Sequence, residues 1–314
     1  MCDSQGNAAG MGSSMRPLHI GLTLLTVAVW GSNFVVIKHG LADLPPFTFA
    51  TLRFFFCALP FAFFIPRPPV AWKWLVLYGT FLGAGQFGLL FYAMRGDISP
   101  GLASLVVQMQ VFFTIGLSVL LFGERVSVSA LAGIGLAGAG LAVIGWHLDA
   151  SVTVKGIVTV VCAAFFWGCA NVVVKKAAVE SKARFSMLAF IVWSSFFAIP
   201  PLLLLTAAFD GVEIAWRAVA NAGWGAWLAV AWQSLGNTLF AFAAWSWLLT
   251  RHDAAVVTPY ALLVPVFGMG SSALLLGEPL PPWKLTAAAM VLAGIALGTL
   301  VPALIGRRKR APPR

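Results

Sequence analysis

Between residues 18 and 305 the chain alternates runs of about 20 apolar residues with short turns rich in Pro, Gly and charge. That run length is the strongest constraint on its fold. It matches a hydrocarbon layer of about 30 Å crossed at 1.5 Å per residue. The runs do not alternate apolar with polar residues, so they are not barrel strands. A backbone in lipid must satisfy its own hydrogen bonds, which a helix does within one segment. The composition agrees: 60% of residues are hydrophobic and 10% charged, against about 25% charged in a soluble domain. The expected fold is an all-α integral membrane protein.

Ten such runs are legible, at about 18–37, 47–65, 72–94, 101–122, 127–146, 154–174, 185–208, 223–249, 254–276 and 283–305. Two pairs of segments relate the first five to the last five. Trp30-Gly31-Ser32-Asn33-Phe34-Val35-Val36-Ile37-Lys38 returns as Trp167-Gly168-Cys169-Ala170-Asn171-Val172-Val173-Val174-Lys175. Gly116-Leu117-Ser118-Val119-Leu120-Leu121-Phe122-Gly123-Glu124 returns as Gly270-Ser271-Ser272-Ala273-Leu274-Leu275-Leu276-Gly277-Glu278. Ordered pairs of this kind indicate internal duplication. An odd number of crossings per copy flips the second copy. The ten transmembrane helices are therefore expected as two inverted-topology five-helix repeats, at 16–147 and 148–305. Residues 1–15 are expected to be a disordered tail. Residues 306–314, with Arg307-Arg308-Lys309-Arg310, are expected to be a basic cytoplasmic tail.

The formal net charge is +10. The basic residues sit in short turns and the tail, which fits membrane orientation better than nucleic-acid binding. With both termini in the cytoplasm, 14 of the 20 Lys and Arg fall on that side, 5 on the other, and Arg53 lies inside a run. Cys2, Cys57, Cys162 and Cys169 have neither disulfide nor metal spacing. No cofactor or metal is expected, and no HExxH, GxSxG or paired-acid pattern points to an enzyme.

All ten carboxylates and all four histidines lie in tails, in turns or at run ends. A pump with an intramembrane carboxylate relay would carry one mid-run. The residues left inside the runs are amides, aromatics and one base. Asn33, Gln86, Gln108, Gln110, Asn171, Gln233 and Asn237 offer donors and acceptors. Trp30, Trp167, Trp193 and Tyr260 offer flat walls. Arg53 offers a fixed positive charge. Together they are the candidate cavity residues, and they suit a small zwitterion whose carboxylate meets Arg53 or a helix N-terminus. A bland role stands beside each: a mid-run amide also serves as interhelical glue worth about 0.6–2 kcal/mol. Trp side chains also form interfacial belts. Gln108 and Gln110 are about 200° apart on a helix, so they cannot both face one cavity squarely.

The repeated Trp-Gly-x-x-x-Val-Val-x-Lys and the repeated Gly-Glu turn resemble the EamA family of the drug/metabolite transporter superfamily. The resemblance covers about residues 16–305. Gly101-Leu102-Ala103-Ser104-Leu105-Val106, Ile191-Val192-Trp193-Ser194 and Leu262-Leu263-Val264-Pro265-Val266 are similar to bacterial inner-membrane exporters of O-acetylserine and cysteine. The resemblance implies a multi-pass inner-membrane exporter of small amino-acid metabolites, monomeric or homodimeric, working by alternating access. A carrier of the same fold for a sugar, nucleotide sugar or nucleobase is the alternative.

Overall fold

The structure is a computed structural model that describes residues 15–149, 151–181 and 184–310. Apart from Met15, the expected N-terminal tail lies outside the described residues, as do residues 311–314. In chain order the helices are α1 (Pro17–Asp43), α2 (Pro46–Ala62), α3 (Trp72–Met94), α4 (Pro100–Phe122), α5 (Val128–Trp146), α6 (Val154–Glu180), α7 (Met187–Asp210), α8 (Val212–Asn221), α9 (224–251), α10 (Thr258–Leu276) and α11 (Pro282–Arg310). Eight of them, all but α2, α8 and α9, are long and apolar enough to cross a membrane. Among the described residues there is no β-strand, only isolated bridges such as Ile98–Val152.

Local chemistry sets the ends. Pro17, Pro46 and Pro100 occupy the first helical position of α1, α2 and α4, where a missing N–H costs nothing. Ser127, Thr153 and Ser186 accept from the backbone N–H three residues on and cap α5, α6 and α7. Gly123 and Gly277, the repeated Gly-Glu turns, both adopt φ 67° and end α4 and α10 in the left-handed conformation that glycine tolerates.

Three boundaries differ from the sequence reading. Helices α1 and α6 run past Lys38 and Lys175 to Asp43 and Glu180. No proline interrupts those extensions, and the lysines reach polar partners from within the helix. The Lys38 ammonium donates to the carbonyls of Met94 and Arg95 at 3.4 and 3.5 Å, and Lys175 pairs with Glu124. Helix α11 likewise continues through the basic stretch to Arg310.

Among the described residues, regular helix gives way to π register at three places. Gly79–Gly88 in α3, Trp232–Phe240 in α9 and Thr206–Asp210 in α7 shift into π register. The α7 shift follows Pro200 and Pro201, which cannot donate to the preceding turn. Thr258–Leu263, the start of α10 around Pro259, is 3₁₀.

Close helix approach depends on glycine. A Cβ at Gly133 of α5 would collide with the Gly294 carbonyl of α11, and one at Gly294 with the Gly133 carbonyl. A side chain at Gly31 of α1 would strike Phe267 of α10, and one at Gly168 of α6 would strike Phe113 of α4. Small residues at crossings let backbones touch where no hydrophobic effect drives association. The main core between helices includes Phe49, Phe54, Phe91, Leu102 and Leu105, all fully buried. The outer surface is apolar, with Leu274, Trp224 and Trp146 among the most exposed side chains.

A buried arginine–amide network as the candidate site

A buried polar network inside the helical body is built around Arg53. Its side chain is fully buried in α2. Nη1 donates to Gln233 Oε1 of α9 at 2.7 Å, and Nη2 donates to Thr238 Oγ1 at 2.8 Å. The guanidinium carbon sits 3.5 Å from the centre of the Phe87 ring. The Gln233 amide passes the contact on, donating from Nε2 to Asn33 Oδ1 of α1 at 2.8 Å. Thr238 Oγ1 donates to the Gln233 carbonyl at 2.7 Å. Trp30 Nε1 donates to the Asn237 carbonyl at 3.3 Å and packs against Phe242 and Trp245.

At 1.5 Å per residue, Arg53 lies about 10 Å into α2 from Pro46, Gln233 about 14 Å into α9 from Trp224, and Asn33 about 15 Å into α1 from Asp43. The three depths agree, so one layer of the protein carries the network. Five of the twelve predicted residues meet here: Trp30, Asn33, Arg53 and Gln233 by their side chains, and Asn237 by its backbone carbonyl.

Two others meet elsewhere. Asn171 Nδ2 donates to Gln110 Oε1 at 2.8 Å and Thr114 Oγ1 at 3.0 Å. This second cluster is half-buried and lies toward the opposite ends, about 14 Å from Glu180 along α6. The remaining five are separate. Gln86 is buried in the π segment of α3, and its Oε1 has no partner. Gln108 is buried in the 3₁₀ turn of α4. Trp167 packs on the main core. Trp193 Nε1 donates to the Ile65 carbonyl at 2.9 Å, beyond the end of α2. Tyr260 joins a small cluster with Met15, Leu248 and Val257.

Thr238 and Phe87 hold Arg53 yet were not singled out from sequence. Thr238 is five residues after Gln233, about 140° away on an α-helix. The π register brings their groups to one place, and apolar periodicity carries no sign of it. Neither of two surface clefts contains the network. One of about 540 Å³ opens between α1 and α9, lined by Val36, His39, Asp43, Ala229 and Trp232. The other, about 280 Å³, lies between α2, α7 and α8. The first approaches Asn33 and Gln233 within one helical turn, at Val36 and Ala229.

At the Asp43 end, Glu278 is buried. Its carboxylate accepts from Ser99 Oγ at 2.5 Å and the Gly101 N–H at 3.0 Å, and pairs with the buried Lys284 at 3.0 Å. Its counterpart, Glu124, pairs with Lys175 in the open. Among the described residues no group of His, Cys, Asp and Glu is placed to hold a metal ion.

The protein-family model described as the EamA-like transporter family matches twice, at residues 18–146 and 154–300. The chain belongs to the EamA-like transporter family. It is 38% identical over 279 residues to a probable amino-acid metabolite efflux pump of Salmonella typhimurium, covering 87% of this chain and 92% of that one. A protein of Escherichia coli with the same description is 37% identical over the same shares. An uncharacterized transporter of Bacillus subtilis is 28% identical over 94% of this chain and 100% of its own length. One crystal structure superposes with a TM-score of 0.56 over 95% of this chain and 100% of that one, at 18% identity. That likeness concerns the fold alone. This EamA-like protein is thus a multi-pass membrane transporter and not an enzyme.

Proposed function

We propose that the protein exports small amino-acid metabolites, of the O-acetylserine and cysteine kind, across the bacterial inner membrane. The observation that carries this reading is Arg53: a buried guanidinium held by neutral groups, with no ion pair reaching it among the described residues. A charge inside a span is costly and marks function by default. A solute carboxylate is the partner it lacks, and Asn33, Gln233, Asn237 and Trp30 form its surroundings. The two relatives described as amino-acid metabolite efflux pumps support the same class. A polyphosphate-bearing solute would need clustered base, and Arg53 stands by itself in this layer.

Transport proceeds by alternating access between two inverted five-helix repeats, 16–147 and 148–305. In this reading α2 and α9 also cross, giving ten transmembrane helices, and both termini are cytoplasmic. Three features support it. The family model matches once in each half. Gly31 packs on Phe267 as Gly168 packs on Phe113; the glycines match within the first repeated segment, and the phenylalanines each lie three residues before the second. The third is the π register, which falls at corresponding places in α3 and α9. The two Gly-Glu turns differ in state, Glu278 buried and Glu124 exposed. That asymmetry fits a carrier closed at its Asp43 end and open at the other. The test is uptake of labelled cysteine into proteoliposomes preloaded with O-acetylserine, without a pH gradient. Rapid counterflow is expected. If no flux appears even with an imposed pH gradient, the substrate assignment is wrong.

A further inference from the structure

We infer that the Arg53 site recognises a free carboxylate and does not require an ammonium group, so its substrates are small monocarboxylates, N-acylated amino acids included. This rests on the Arg53 network being the substrate site. The argument starts from hydrogen-bond direction. A guanidinium only donates. Gln233 must therefore turn Oε1 toward Arg53, which leaves Nε2 to donate to Asn33 Oδ1. With its oxygen occupied, Asn33 keeps Nδ2 as a donor that bonds nothing among the described residues. Thr238 Oγ1 accepts from Arg53 and spends its own proton on the Gln233 carbonyl. Arg53 Nε–H is buried with no partner. The two groups of this chain of bonds left with no bond at all, Asn33 Nδ2 and Arg53 Nε–H, are thus donors, and one bears a full charge. Such an array fits an anionic acceptor.

Nothing comparable awaits a cation. The described carboxylates lie near helix ends and not in this layer: Glu278 is engaged by Lys284, Asp97 by Lys155 and Asp210 by Thr48, while Asp43 is exposed at the rim of the larger cleft. The buried oxygens left without a partner among the described residues are neutral, Gln86 Oε1 and Ser272 Oγ. A neutral oxygen accepts as readily from an amide N–H as from an ammonium, so it does not enforce a charged amine. Blocking the carboxylate should therefore be severe and acylating the amine mild.

The test uses the full-length protein in detergent, reading thermal protection by O-acetylserine, N-acetylserine and serine methyl ester, with the same compounds as internal drivers of cysteine counterflow. Both acids are expected to protect with affinities within about tenfold of each other, while the ester loses about 100-fold or more, because its partner donors stay unpaired. Arg53→Lys should keep the preference for acids at lower affinity. Asn33→Asp, which is isosteric, supplies an internal anion and should abolish protection by both acids; these two variants keep the test open if Arg53→Ala does not fold. Protection by O-acetylserine without N-acetylserine overturns the inference and leaves the amino-acid reading intact. The reverse pattern upholds the inference and overturns the amino-acid reading. Protection by the ester as strong as by the acids, or by none of the three, overturns the inference.

Discussion

Arg53 is tolerated because its neighbours replace water group by group. A central arginine costs about 2.5–3.5 kcal/mol on insertion scales. Two hydrogen bonds to a charged donor return about 1.5–3 kcal/mol each, and a desolvated cation–π contact with Phe87 adds about 2 kcal/mol. The return, about 5–8 kcal/mol, exceeds that cost, so the residue is stable in place without a counter-charge. Removing one holder should be felt. Thr238→Val leaves Nη2 without its acceptor and is expected to lower stability by about 1–3 kcal/mol, checked by thermal unfolding in detergent. Arg53→Ala is expected to reduce cysteine counterflow by about 30-fold or more, the usual cost of truncating a buried charge contact, while the protein remains folded by size-exclusion and thermal unfolding. Unchanged flux would exclude Arg53 from the site.

At the scale of elements, the paired Gly-Glu turns carry one sequence in two environments. Glu278 reaches from the end of α10 to the first turn of α4, where its charge also complements the N-terminal N–H groups. Lys284 at the start of α11 closes the contact, with side-chain exposures of 1% and 7% for the pair. Deleting one partner of a buried pair strands the other. Lys284→Ala should therefore cost about 3–5 kcal/mol. Lys175→Ala, at the solvent-exposed pair, should change stability by about 1 kcal/mol or less. Thermal unfolding of both variants compares them directly; equal losses would mean that the Glu278 contact is not sequestered. The π segments are the other element-scale feature. Those in α3 and α9 each place an extra residue in a turn, at Gln86 and Gln233 respectively.

Across the whole molecule the polar layers lie on opposite sides of the middle. The Arg53 layer is buried on the side of the Glu278–Lys284 pair. The Gln110–Thr114–Asn171 cluster is half-buried and nearer the end that carries Glu124 and Glu180. A Thr114→Cys variant lacking the native cysteines tests which end is open. A membrane-impermeant maleimide should label it faster from the cytoplasmic face in inside-out vesicles than from the other face in right-side-out vesicles. Saturating O-acetylserine should slow labelling if the solute occupies the path. Faster labelling from the outer face would reverse the assignment of the open end.

The amino-acid sequence by itself determined the solvent, most of the long helices and the family, while α8 (Val212–Asn221) lies in a stretch that reads as a loop. Long uninterrupted apolar runs have one stable answer in lipid, and the duplicated segments Trp30–Lys38 and Trp167–Lys175 are visible without coordinates. It also marked Arg53 and the amides, because polar groups stand out in an apolar run. Their partnership was decided only by tertiary structure. Asn33, Arg53 and Gln233 come from α1, α2 and α9, and Gln233 is 180 residues from Arg53 along the chain. Which amide meets the guanidinium depends on how three helices rotate about their axes. Glycine contacts and a π shift set that rotation, and neither has a periodic signature. The same limit separated Trp193 and Tyr260 from the site: each side chain suits a cavity wall, but packing directs one to the Ile65 carbonyl and the other to a cluster with Met15. Burial likewise distinguished Glu278 from Glu124, since identical Gly-Glu turns acquire different surroundings only when the two halves meet.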